Sequence, residues 1–244
     1  MTGASPRVKV VIFDLPGTVL RTEDNCEAHF RLMESLVERY KLGDEPAFLL
    51  EKFNARVLEP YERLDRGWVS HRETVAAVMG GFLKSRGLAV TAADEEWFYQ
   101  EYLDKHQSFV RLVPGAAEVL AKCSGMKLHI AAVGNMDREY IEKQLRWLSV
   151  YESFDSVTTP EEAGAPLPDG RMLRLVLQRS GAQPEQAIFV SDSVKRGIRP
   201  AKELGLATVL LDTAMEQTEL EAADFVARSA GRVLNILIEL VHRQ

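Results

Sequence analysis

The sequence predicts an α/β protein, a doubly wound parallel sheet with a Rossmann-like core, interrupted near its front by an all-helical insertion. Three observations carry this. Short apolar runs recur along the chain with helical stretches between them; two of those runs end in an aspartate; and a long stretch after the first run has no strand-like pattern.

The first run is Val10-Val11-Ile12-Phe13-Asp14, followed by a turn through Leu15-Pro16-Gly17-Thr18. It reads as a buried parallel strand that delivers a carboxylate to its carboxyl end, where open α/β sheets place their ligand crevice. From Arg21 to about Phe109 the pattern is helical. Cys26, Phe30, Met33, Leu36, Val37 and Tyr40 recur at helical spacing, with Asp24 and Glu27 as a start signal. A second helix is expected from Glu45 to Arg63. A third opens on the capping-box pattern Ser70-His71-Arg72-Glu73, and a fourth follows Thr91-Ala92-Ala93-Asp94. The aromatics Trp97, Phe98 and Tyr102 read as the core of this insertion.

The α/β rhythm resumes at Val113-Pro114-Gly115. A helix to Ser124 leads to the strand Lys127 to Val133, which ends in Gly134-Asn135; His129 inside it reads as a structural histidine. Then come a helix from Asp137 to Leu148, a short strand Phe154 to Thr158, and a helix from Arg171 to Arg179 stopped by Gly181. The strand Ala187 to Val190 is followed by Ser191-Asp192. Pro200 suits a helix's first turn, Ala207 to Leu211 is a further strand, and Val233, Ile236, Leu237, Leu240 and Val241 line a closing helix. The expected division is a core of residues 1–20 and 110–244 around an insertion of 21–109.

With 244 residues, 46% of them hydrophobic, the chain can bury a full core and carry a smaller second module. Its formal charge of -6 is spread along the chain, with no basic stripe, which argues against nucleic acid as a partner. The cysteines Cys26 and Cys123 have no metal or redox neighbours and read as small core residues of a reducing compartment. The first residues lack an apolar signal region, and no apolar stretch nears the roughly 18 residues of a membrane span. A cytoplasmic location away from the membrane is the expectation.

Asp14, Gly17 and Thr18 after an apolar run resemble the first motif of the haloacid dehalogenase (HAD) superfamily, mostly phosphatases and phosphotransferases, and the insertion falls where many members carry a helical cap. The resemblance spans Lys9 to about Val241. It implies an Asp nucleophile at Asp14 with Thr18 beside it. It also implies a general acid two residues after the nucleophile, a second-motif hydroxyl before an Asn, a third-motif Lys, and two fourth-motif carboxylates. This chain has Pro16 at the acid position, Gly134 at the hydroxyl, Leu167 (in Leu167-Pro168-Asp169) at the lysine, and in the fourth motif Ser191 where a Gly usually precedes the first carboxylate and Gly197 at the second; Asn135 and Asp192 match. By the same resemblance Asn135 is the ligand-binding candidate. Mg2+ would be held by Asp14, the backbone carbonyl of Pro16 and Asp192. The alternative is that Asp14 and Asp192 only cap turns at strand ends. Lys195, Arg196 and Arg171 are the candidates for a substitute cation.

Losing a general acid removes ~10²–10⁴ of rate, and the missing hydroxyl and lysine remove phosphate-binding energy besides. The sequence therefore favours a non-catalytic binding or regulatory protein (a pseudophosphatase) whose partner is a small phosphorylated molecule or a protein. The alternative is a divergent hydrolase of a small phosphorylated metabolite. A haloacid dehalogenase-type hydrolase ranks third: a halide leaves without a proton, so such an enzyme needs no acid at Pro16, but Leu167 and Gly134 do not supply the groups it keeps.

Overall fold

β1 (Val10–Asp14) is buried along its whole length and stands inside a six-stranded parallel sheet. β2 (His129–Val133), β3 (Ser156–Thr158), β4 (Ala187–Ser191), β5 (Ala207–Leu211) and β6 (Phe225–Ala227) complete the order β3-β2-β1-β4-β5-β6. The computed structural model describes residues 8–21, 25–57, 68–215 and 218–242. It divides into two compact units: residues 1–21, 111–135 and 148–244 form one, and residues 22–110 with 136–147 form the other.

Side chains alternate across the sheet, so each strand feeds two cores. Val10 and Ile12 join Ala131, Val133 and Phe189 on one face, where they meet Met172, Leu173, Val176 and Leu177 of the helix Arg171–Ser180. Phe13 and Val190 face the other way, towards Val119 and Leu120 of the helix Ala116–Gly125 and Val233 of the helix Ala230–His242. Each such aliphatic side chain contributes roughly 1.5–3 kcal/mol of transfer free energy, so the two layers fix β1 from both sides.

Both ends of the sheet are short. Each edge strand is entered through an aspartate that serves its neighbour: Asp155 accepts from the Ile130 N–H (2.8 Å) and Asp224 from the Thr208 N–H (2.9 Å). His129 is satisfied by Ser156 at 2.8 Å, in keeping with a structural role. β6 is an apolar run of only three residues, Phe225-Val226-Ala227, too short to stand out in the sequence pattern.

In the helical unit the helix Asn25–Tyr40 buries Ala28, His29, Leu32, Met33 and Leu36. The expected stripe is thus rotated: Cys26 is exposed, and His29 turns inward because its Nδ1 pairs with Asn54 Oδ1 at 2.7 Å. The other cysteine, Cys123, is buried as expected, and burial pushes its thiol up to about 11. The second helix is Pro46–Val57; the rest of its expected span, 58–63, and the start residue Asp24 lie outside the described residues. Both capping patterns close. Ser70 and Glu73 exchange hydrogen bonds at the start of the helix His71–Lys84, and Thr91 and Asp94 do so at the start of Ala92–Phe109.

The helix Arg138–Trp147 belongs to this unit, not to the sheet, through the residue before it. Asp137, 3% exposed, accepts the His71 N–H on Oδ1 (2.8 Å), and the Arg72 N–H (2.8 Å) and Tyr99 hydroxyl (3.1 Å) on Oδ2. A carboxylate at a helix N-terminus meets both unpaired amides and the favourable end of the dipole. Below it His29, His71 and His106 pack with Tyr102 and Tyr140, with ring centroids 4.1 Å apart for Tyr102–His106 and 4.9 Å for His29–His106. Burial holds all three imidazoles neutral, lowering His71 to about 4 and His106 well below the usual histidine range.

Candidate functional site

The chain leaves β1 for β2 on one side and reaches β4 on the other, so the carboxyl ends of β1 and β4 flank the topological switch of the sheet. Asp14 ends β1 and Ser191 ends β4, which brings together residues 177 positions apart: Ser191 Oγ donates to Asp14 Oδ2 at 2.9 Å. The turn after β1 is wound on the Leu15 carbonyl, which accepts from Thr18, Val19 and Leu20 at 3.3, 3.0 and 2.9 Å. This winding carries Gly17 (φ +75°) against Asp192, where an added Cβ would lie 1.9 Å from Oδ2. Only glycine fits, for both its backbone and its bulk. Thr18 is buried, and its Oγ1 accepts the Asp192 N–H at 2.9 Å, so it anchors the loop after β4.

Two carboxylates therefore meet in a largely dry place. Burial first, and then the negative charge of Asp192, lift the Asp14 carboxyl to about 7, against the opposing pull of Ser191 and Arg196. Burial also raises Asp192, opposed by Arg196. Asp192 Oδ1 is buried with no hydrogen-bond partner. A buried orphan oxygen beside a second carboxylate fits a cation, which would answer desolvation and repulsion together, as a proton on one carboxyl does without it. Asp14 and Asp192 would hold it, with the Pro16 carbonyl as the third expected oxygen. Among the described residues no group of three or more His, Cys, Asp or Glu side chains is placed to hold a metal.

The remaining expected positions separate. Asn135, expected to bind ligand, has both ends of its amide on the Leu167 backbone: Nδ2 donates to the carbonyl (2.8 Å) and Oδ1 accepts the N–H (2.7 Å). It is a loop clamp in this structure. Leu167, at the expected lysine position, is 1% exposed and packs with Ile12, Val133 and Phe189, so it belongs to the core. Gly134 brings no side chain to the site. Of the substitute cations, Arg171 is paired with Asp169 at 3.1 Å and Lys195 is exposed, while Arg196 is the one whose charge bears on both carboxylates. Pro16 has no proton to give. Sequence reasoning missed the role of Ser191, whose hydroxyl lies where the family pattern has none.

The chain belongs to the haloacid dehalogenase-like hydrolases, whose family model matches residues 8–205. Glyceraldehyde 3-phosphate phosphatase of Methanocaldococcus jannaschii is 32% identical over 121 residues, 49% of this chain and 52% of that protein. Phosphorylated carbohydrates phosphatase of Thermotoga maritima is 25% identical over 242 residues, 96% of this chain and 100% of that protein. The chain spans about half the length of the first curated relatives it matches. Among solved structures, a 2-haloacid dehalogenase of Pseudomonas syringae (TM-score 0.74, 18% identical, covering 95% of this chain and 99% of that one) shares the fold. So does a magnesium-bound HAD hydrolase of Bacillus subtilis (TM-score 0.72, 18% identical, covering 96% and 100%). No helix among the described residues is long and apolar enough to cross a membrane.

Proposed function

We propose that this haloacid dehalogenase-like hydrolase is of the phosphatase type and cleaves the phosphate ester of a small molecule, with Asp14 as nucleophile. The observation that carries the reading is the buried Asp14 beside a part-buried Asp192 whose Oδ1 is enclosed without a partner, an arrangement that is unfavourable unless charge is brought to it. The phosphatases among its relatives support the same reaction class over the non-catalytic reading that the motif losses favour. A bound Mg2+ would supply positive charge to offset repulsion between nucleophile and phosphate.

In this reading an Asp14 oxygen attacks phosphorus, the ester oxygen departs with the bonding pair, and water then releases phosphate from the carboxyl. Asp14 must be ionised to attack; without metal, burial lifts its carboxyl to about 7, and a cation shared with Asp192 would favour the ionised form. Thr18 and Ser191 hold the two carboxylates in place, and Arg196 offers the cation that Leu167 does not. Pro16 cannot protonate the leaving oxygen, so esters of acidic alcohols are favoured over those of simple alcohols. The test is a panel of small phosphate esters, including p-nitrophenyl phosphate, with Mg2+ and an Asp14→Asn control. The reading predicts turnover that falls at least a hundredfold in the control and is steepest for the most acidic leaving groups. Wild-type turnover no greater than that of the control would return the chain to the second reading, a binding protein, which the core placement of Leu167 and the proline at position 16 favour.

A further inference from the structure

Ser191 is fully buried at the end of β4, and its hydroxyl has a fixed direction. The Ser193 N–H donates to Oγ at 3.1 Å, and the hydroxyl's own proton goes to Asp14 Oδ2 at 2.9 Å. A hydroxyl has one proton, so a donor on its lone pair and an acceptor on its proton leave it no rotational choice. An aspartate carboxylate turns easily about its last torsion, and this relay holds its plane by one oxygen.

Gly197 lies in the turn Val194–Ile198 directly against that hydroxyl. A Cβ built there would fall 2.2 Å from Ser191 Oγ, 2.6 Å from its Cβ and 2.9 Å from Phe189 Cε1. Both neighbours are buried with no room to retreat. No side chain can stand at 197 while the Ser191 hydroxyl occupies that volume.

We propose that Ser191 is a positioning residue for Asp14, and that Gly197 is the space it requires, so the departures at 191 and 197 are one coupled change. The inference rests on Asp14 being the nucleophile. The relay pins Oδ2 and so fixes the plane in which the carboxyl meets a substrate.

The experiment uses the full chain with Mg2+ and p-nitrophenyl phosphate. Ser191→Ala is expected to lower kcat about ten- to a hundredfold, the usual cost of a loosely held reacting group, with KM within twofold of wild type. Thermal unfolding is read in parallel. Gly197→Ala should lower the melting temperature in the wild-type background and less in a Ser191→Gly background, where the two shortest clashes are gone and only the 2.9 Å approach to Phe189 Cε1 remains. Unchanged kcat in a folded, active Ser191→Ala chain overturns the positioning role alone. Equal damage from Gly197→Ala in both backgrounds overturns the coupling. A wild-type chain without turnover overturns the hydrolase reading and the positioning role with it, and the melting data still decide whether 191 and 197 share one volume.

Discussion

Asp14 and Asp137 are both aspartates less than 5% exposed, and the chain treats them in opposite ways. Asp137 receives two amides of a helix N-terminus and a tyrosine hydroxyl, so its charge is matched where it sits. Asp14 receives the Ser191 hydroxyl and faces a second carboxylate whose Oδ1 has no partner. A buried charge with its donors in place is structural. One left short of them beside a like charge marks a place where something from outside completes the arrangement.

Asp137→Ala should show the larger effect. It strands three donors, two of them amides of a helix's first turn, a loss of about 2–4 kcal/mol, read by denaturant titration. A loss under about 0.5 kcal/mol, the range of an ordinary surface substitution, would erase the contrast. Mg2+ should stabilise the wild-type chain, by about 1.4 kcal/mol at ten times its Kd. It should do nothing for Asp192→Asn, and equal melting shifts in the two proteins would move the metal elsewhere. Without metal, Asp14→Asn should stabilise by about 1 kcal/mol, since it removes a buried charge beside a like one and keeps an acceptor for Ser191.

The smallest effect separates the two regions by sign. Asp14 titrates near 7 folded against 3.8 ordinarily, so the folded chain holds a proton that the unfolded chain releases, and its contribution to stability is lost as pH rises towards 7. His71 titrates near 4 against 6.5, so its contribution is lost as pH falls from 6.5. The metal-free melting temperature of Asp14→Asn should therefore exceed that of wild type by a few degrees at pH 7.5, and the gap should close towards pH 4. A gap independent of pH would show that Asp14 is not the group that titrates.

What was legible in the sequence was local. The run ending in Asp14, the run ending at Asp192, and the capping boxes at Ser70 and Thr91 each reside within a few consecutive residues, and the structure has them. Long-range partners were not legible. Asp137 serves amides 66 and 65 positions away, Ser191 reaches Asp14 across 177, and Asn135 turns to Leu167 because a backbone 32 positions on needs it. His29 misled the helix phase because a histidine counts as polar until Asn54 satisfies it. β6 was missed because its apolar run is only three residues long and its pairing with β5 is a long-range contact.

The two outermost strands, β3 and β6, also govern how the molecule meets copies of itself. An open sheet invites a stranger's backbone to continue it, and a border three residues long offers that stranger little to pair with. The sheet is thereby guarded against growing into aggregates.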